Sequence, residues 1–487
     1  MIINLQQLTA LLPLLIMIFT AMTIMLSIAY NRNHFFVVLL SIFGLIFSFF
    51  SLYLLIPILP IDIYGLFHVT HYSILYMSMI IFSSISTCIF GYEWLKNFSY
   101  NKEEFYFLII IAHLGAMSLI ISNHMASFFI NIEVLSLPIF GLIAYSSYQK
   151  YSLEAALKYI ILSGVSSSFL LFGIAWVYSI SGSLNFASII PLVNSLAYHE
   201  ELIVLFGMSM ILLSVLFKLS IVPFHLWTPD IYQGTPASVL SFFSTAGKIA
   251  IFSMLLTFLS HISYSNKTIH FLLSLIIVLS MLFGNLMAIF QNNIKRLFGY
   301  SSISQIGYLF IIFLASNKNY YFSLEASVIY LYSYLFSNIA FFGIINLITN
   351  HNQTNNVNTL HRYQGLFWSN PLISMILTLV LLSLSGFPLT FGFISKFYIL
   401  SIIIHEHLWI IGLVFLISTL LGFYCYLRVI LNLYLQPLQL VSNEISISRH
   451  WLYTPSGVII FISGIFLLIL GMYPNQLINL VQLSIKV

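Results

Sequence analysis

The sequence predicts an all-α polytopic membrane protein with about fourteen spanning helices. Composition makes the first case: 60% of the 487 residues are hydrophobic and 6% are charged, whereas a soluble domain carries roughly a quarter charged residues. Patterning makes the second. Apolar runs of about twenty residues, the length that crosses a hydrocarbon core, recur from end to end, where a β-barrel would show short alternating segments. The third is that two of the runs are overlong and interrupted by proline or glycine. No stretch is long and polar enough for a separate soluble unit, so residues 1–487 read as a single membrane domain.

In order, the first run covers about 8–29. It has no basic residue before it and no small-residue cleavage pattern after it, so it reads as a span and not as a signal peptide. The second and third cover about 35–57 and 72–92, followed by a charged connector, 93–104. The fourth and fifth, about 107–122 and 126–146, are separated by almost no loop, and the sixth is about 157–180. A polar link, 181–201, leads to a seventh run of about 203–232. At 1.5 Å per residue that is too long for one straight helix across roughly 30 Å of hydrocarbon, and Pro223 should break it. The eighth to eleventh are about 237–259, 269–290, 297–315 and 325–348. After an asparagine-rich link the twelfth, about 372–404, is again overlong, with a break expected from Gly386 to Pro388. The thirteenth and fourteenth are about 408–433 and 457–474.

Charge placement supports this map. Arg32, Lys96, Lys102, Lys150, Lys158, Lys295, Arg296, Arg362, Arg428 and Arg449 fall on one side, and Lys267, Lys318 and Lys486 on the other. Basic residues concentrate in cytoplasmic loops, which places both termini outside the cytoplasm. Three basic residues fit neither side: Lys218, Lys248 and Lys396. Glu133 is the clearest acid inside a span, in the fifth.

Ionisable groups at bilayer depth cost several kcal/mol and mark proton or ion paths. Desolvation disfavours the charged form of a lysine and a nearby carboxylate favours it, so a lysine whose carboxylate moves can change protonation state. Glu133 opposite Lys218 reads as the switch, with Lys248 and Lys396 as later stations. The plainer alternative is static pairing or snorkelling, which explains Lys248 and Lys396 less well because neither has an acid neighbour in sequence. His225 lies two residues after Pro223; it either passes protons in a water-accessible break or bonds freed backbone groups. Glu154 and Lys158, four residues apart, read as a surface pair or as a point of proton uptake from the cytoplasm. Asp230 and Thr228 read as helix caps, Lys295 and Arg296 as topology anchors, and His113 as a hydrogen-bonded packing residue.

The seventh and twelfth spans cross in opposite directions, and each carries a break and a lysine. That is the trace of an inverted repeat, with units of about 107–259 (spans four to eight) and 269–433 (spans nine to thirteen). Other classes are disfavoured. A net charge of +4 without a basic patch does not suit nucleic acid. Two isolated cysteines, Cys88 and Cys425, cannot supply the four thiolates of an iron–sulfur cluster. There is no Walker loop and no glycine-rich fingerprint in a strand–helix unit.

Four segments carry a family resemblance: FKLSIVPFHLWTPDIYQGTPASV, STAGKIA, IKRLFGYSSISQIGY and LSGFPLTFGFISKFY. Together they resemble the antiporter-like membrane subunits of respiratory complex I, over about 133–428. Within that family the chain is most similar to the N-type branch (chain 2 in mitochondria). The segment IEVLSLPIFGLIAYSSYQKYSLEAALKYIILSG resembles that branch, the twelfth span carries Lys396 and not a glutamate, and the sequence lacks a long lateral helix after span fourteen.

The resemblance implies proton translocation coupled to NADH oxidation and quinone reduction in the respiratory chain. It implies a relay of Glu133, Lys218, Lys248 and Lys396, with His225 in the PFH element. No cofactor is expected in this chain; FMN, iron–sulfur clusters and the quinone site belong to partner subunits. The partners implied are the M-type antiporter-like subunit and the small K and J subunits, in a bacterial inner membrane. Where the family has Pro-Pro-Leu-Ala-Gly at the twelfth-span break, this chain has Pro388, Leu389, Thr390, Phe391 and Gly392, keeping only the first proline. Two relatives share the broken helices and stand as alternatives: an Mrp-type cation/proton antiporter subunit, and the membrane arm of an energy-converting hydrogenase.

Overall fold

A computed structural model describes residues 4–96, 98, 101–146, 149–188, 198–260, 267–315, 320–351, 359–436 and 450–486. A short helix α1 (Leu5–Ala10) precedes α2 (Leu12–Tyr30), α3 (His34–Leu55) and α4 (His71–Lys96). Then come α5 (Glu104–Ile120), α6 (Met125–Ile143), α7 (Lys150–Ser181) and α8 (Tyr198–Lys218). Next are α9 (Trp227–Gly234), α10 (Ala237–Phe242), α11 (Lys248–Ser260), α12 (Lys267–Ile289), α13 (Ile294–Ala315) and α14 (Tyr320–His351). The last are α15 (Leu366–Ser369), α16 (Pro371–Ser385), α17 (Phe391–His405), α18 (Trp409–Tyr434), α19 (Pro455–Met472) and α20 (Asn475–Lys486).

Among the described residues, 12 helical segments are long and apolar enough to cross a bilayer. The 17-residue α5 and the α16–α17 pair add two more crossings, which agrees with the fourteen expected. Local chemistry sets several helix starts. Asn33 caps α3 by accepting from the Phe36 amide, and Thr454 caps α19 by accepting from the Gly457 amide. Proline occupies the first turn of α2, α16 and α19, where its missing N–H leaves no bond unmade. One feature is absent from the sequence map: a small antiparallel hairpin, β1 (Ile61–Ile63) with β2 (Phe67–Val69), pairing Ile61 with Val69. Lys318, Arg449 and residues 189–197, 352–358 and 437–449 of the polar links lie outside the described residues.

Both overlong runs are discontinuous. The seventh ends its helix at Lys218 and resumes as α9 at Trp227. The break begins at Leu219, four residues ahead of Pro223. Ser220 turns left-handed (φ 60°), and the amides of Ser220 and Ile221 fold back onto the carbonyls of Phe217 and Leu216 at 2.9 and 3.0 Å. In the twelfth, α16 ends at Gly386 (φ 82°), whose amide bonds the Leu382 and Ser383 carbonyls, before α17 starts at Phe391. A positive φ of this kind suits glycine because there is no Cβ to clash. The eighth run holds a deviation that periodicity did not reveal: Phe243–Gly247 forms a π-helical turn between α10 and α11, ending immediately before Lys248.

Burial is graded. Over its most apolar 18 residues the run Ala237–Leu259 is wholly buried and α13 is 94% buried, against 28% for α7 and 33% for α2 and α18. The π-distorted run and α13 are therefore enclosed by other helices, whereas the broken helices α8 and α17 each keep an exposed face with Leu, Phe or Ile. Such an outer surface is stable only against lipid or neighbouring apolar protein.

Candidate functional site

Lys218 is the last residue of α8, at the negative end of a half-helix, where the helix dipole favours an ammonium. It is buried, and its Nζ has no hydrogen-bond partner. Glu133, on α6, is close enough to act electrostatically on Lys218. Its Oε1 is likewise buried without a partner, while Oε2 accepts a weak bond from Ser136 at 3.4 Å. The two charges are thus within each other's field without a closed ion pair.

A cavity of about 20 Å³ connects Lys218 to Lys248. Ser136, Tyr159, Phe243 and Gly247 are among its lining residues. That is room for about one water molecule. Gly247 opens it: a Cβ there would meet nothing within 4 Å. Lys248 is 2% exposed, donates to Ser302 Oγ at 2.9 Å, and lies 5.8 Å from the centre of the Tyr232 ring.

Lys396 caps the other break. Its Nζ donates to the Ser385 carbonyl at 2.8 Å, a carbonyl freed by the end of α16, and lies 5.2 Å from the centre of the Tyr308 ring. Its aliphatic stem crosses Gly386 so closely that an added Cβ would sit 2.6 Å from Cδ. A second cavity, of about 10 Å³, joins Lys396 to Gln305, Tyr330 and Tyr334. Gln305 is the node of this region. Its Oε1 accepts from the Tyr330 hydroxyl, and its Nε2 donates to the Leu384 carbonyl and the Tyr426 hydroxyl at 3.2 and 3.5 Å. The altered break keeps the essential glycine: Gly392 packs against the Ser383 carbonyl, which a Cβ would approach to 1.7 Å.

The other candidates fall in two places. His225 is buried in the seventh-span break against Phe283, at 5.2 Å between ring centres, and neither ring nitrogen has a hydrogen-bond partner. Glu154 and Lys158 pair at 2.6 Å, and Lys158 also bonds Asp230 at 2.6 Å. Asp230 in turn meets Arg296 at 3.3 Å. These residues therefore form one four-charge cluster tying α7, α9 and α13 together.

That corrects one expectation. Asp230 is no helix cap: α9 has no side-chain cap, and Thr228 Oγ1 is buried without a partner. Lys295, read from the sequence as a topology anchor, also has a packing role that the sequence did not show. It is buried and donates to the Thr235 carbonyl at 2.9 Å, at the end of α9, because the fold lays the start of α13 across that half-helix. His113 is a packing residue, its Nδ1 3.0 Å from Ser84 Oγ. Sequence reasoning missed Ser302, Gln305, Tyr232 and Tyr334. Neutral polar side chains occur throughout the spans, and nothing in their spacing separates these four.

Comparison with known proteins agrees with this architecture. The family described as NADH:quinone oxidoreductase/Mrp antiporter, TM, matches residues 122–422. The NADH-quinone oxidoreductase subunit N of Buchnera aphidicola subsp. Acyrthosiphon pisum is 67% identical over 100% of both chains. The protein of the same name from Buchnera aphidicola subsp. Schizaphis graminum is 61% identical over 99% of both. Among solved structures, a chain of respiratory complex I from Thermus thermophilus with bound aureothin superposes with a TM-score of 0.81. It is 26% identical, with 96% of this chain and 98% of that chain covered. The chain belongs to the NADH:quinone oxidoreductase/Mrp antiporter membrane family, and within it to the NADH-quinone oxidoreductase subunit N branch.

Proposed function

We propose that this chain moves protons across a bacterial inner membrane as a non-redox subunit of NADH:quinone oxidoreductase, through the relay Glu133, Lys218, Lys248 and Lys396. One observation carries the reading: three lysines lie within spanning runs, each at a helix break or π-turn, with water-sized cavities beside them. Lys218 and Lys248 are buried, Lys396 is half-buried, and none of the three closes an ion pair with a described residue; such groups are costly within a spanning run, and a fold that keeps them at its breaks uses them.

In this reading Glu133 moves toward or away from Lys218. Close approach favours the ammonium; separation leaves it desolvated, and its proton passes through the first cavity to Lys248 as free amine. Lys248 then passes a proton on toward Lys396. The cluster of Glu154, Lys158, Asp230 and Arg296 holds α9 in place and offers carboxylates where protons are taken up. His225 is an accessory group in the break. Residues 107–259 and 269–433 act as two inverted units, one with Lys218 at its broken helix and the other with Lys396. Electrons, FMN, iron–sulfur clusters and quinone are handled by partner subunits, with the M-type and the small K and J subunits as neighbours. Both termini lie on the periplasmic side.

Lys218→Ala and Lys396→Ala in the assembled complex test this. NADH oxidation and proton uptake are measured together, with assembly checked on native gels. Proton uptake per NADH should fall in both; unchanged uptake in an intact complex sinks the relay. The family description also covers Mrp antiporters, and robust Na⁺/H⁺ exchange by this chain alone in liposomes would favour that reading.

A further inference from the structure

Between Lys248 and Lys396 lie neutral polar groups: Gln305 and Tyr330 bond each other, whereas two phenols, Tyr232 and Tyr334, have no hydrogen-bond partner. Tyr232 is 0% exposed and Tyr334 is 2% exposed. Tyr232 lies on the half-helix α9, with its ring beneath the Lys248 ammonium at 5.8 Å. Its hydroxyl faces those of Ser302, the hydroxyl that accepts from Lys248, and Tyr334. These are close approaches that fall short of hydrogen-bond geometry, and the Tyr334 hydroxyl bonds no other group. Tyr334 lines the second cavity together with Lys396. Buried hydroxyls are almost always bonded to protein or to an ordered water. Two unbonded ones side by side, between two lysines and at the rim of a cavity, are sites that water completes.

From this juxtaposition we infer that Tyr232 and Tyr334 carry the proton from Lys248 to Lys396. The inference rests on the relay proposed above and supplies its missing middle. A phenol both donates and accepts, so it can pass a proton without ionising. The Lys248 ammonium gives its proton to the Tyr232 oxygen through one water, while the Tyr232 O–H bond releases its own proton to Tyr334. Tyr334 in turn releases its proton to water in the second cavity, and the Lys396 amine takes it up. Both phenols end neutral, and the net change is one proton moved from Lys248 to Lys396, with no electron transferred. Ser302 is less suited to the forward step because its hydroxyl already donates to the Gly299 carbonyl at 2.7 Å.

The test uses Tyr232→Phe, Tyr334→Phe and the double variant in the assembled complex, beside Lys396→Ala. Phenylalanine keeps the ring, so the Tyr232 packing against Phe243 and Phe342 is retained. Proton uptake per NADH oxidised should fall in each single variant to the Lys396→Ala level. The double should fall no further, because both hydroxyls serve one path. A purely structural role would instead give additive losses of stability. If Lys396→Ala loses uptake while the phenylalanine variants keep it, the phenol bridge is overturned and the relay stands. If Lys396→Ala also pumps normally, the relay itself is overturned. Should a phenylalanine variant fail to assemble, fluorotyrosine at that position keeps ring and hydroxyl but alters donor strength. It must change the rate of proton uptake; an unchanged rate overturns the inference.

Discussion

Gly386 tests how the second break holds its lysine. Gly386→Ala has two effects. An alanine at φ 82° occupies the left-handed region, at a cost of about 1–2 kcal/mol. Its Cβ also lies 2.6 Å from Lys396 Cδ, so the stem must shift, which lengthens or breaks the 2.8 Å bond from the ammonium to the Ser385 carbonyl. A hydrogen bond from a charged donor contributes about 1.5–3 kcal/mol. Gly182 is the control: it ends α7 with φ 62°, and a Cβ there meets nothing within 4 Å. Both variants carry the left-handed strain, and only Gly386→Ala displaces a lysine. Gly386→Ala should therefore destabilise by about 2 kcal/mol more than Gly182→Ala, and it alone should lower proton uptake per NADH. Thermal inactivation of the assembled complex reads the first quantity, and proton uptake in membrane vesicles reads the second. Equal destabilisation by the two variants, with uptake unchanged in both, would refute the claim that the Gly386 backbone positions Lys396.

Gly247→Val should assemble, since space exists beside Gly247, but its side chain fills the cavity of about 20 Å³ between Lys218 and Lys248. Proton uptake should drop while complex abundance on native gels holds, and normal uptake would show that water in this cavity is dispensable. Gly392→Ala drives a Cβ to 1.7 Å from the Ser383 carbonyl and should abolish assembly. Gly164→Ala, in the middle of α7 with nothing within 4 Å, should stabilise by up to about 1 kcal/mol, readable as a higher inactivation temperature. Asp230→Asn and Lys158→Met should each cost on the order of 1 kcal/mol or less, because the pair is partly exposed. Their double variant should cost less than the sum, and additive losses would show that the two do not interact.

The spans were legible because bilayer thickness imposes a length and a hydrophobicity that any sequence must display. The two breaks were legible because Pro223, Gly386 and Pro388 interrupt runs too long for one crossing. Lys218, Lys248 and Lys396 stood out by elimination, since lysine is rare at that depth. The π-turn before Lys248 was not legible, because a one-residue shift in hydrogen bonding leaves no distinctive spacing in a run whose serines, threonine and apolar residues are all buried. The partners of Lys295 and Asp230 were not legible either, since they come from helices 60 and 72 residues away along the chain.

By itself, then, the sequence determined that this chain lies in the membrane, how often it crosses, which two runs break and which cations lie within spanning runs. These follow from the one-dimensional cost of putting charge and backbone into hydrocarbon. Only the tertiary structure decided what faces those cations: a carboxylate held near Lys218 without closing on it, a freed carbonyl under Lys396, a serine beside Lys248 and two unpartnered phenols between the last two. Proton transfer depends on distances between oxygen and nitrogen atoms, and helix packing sets those distances across segments far apart in the chain.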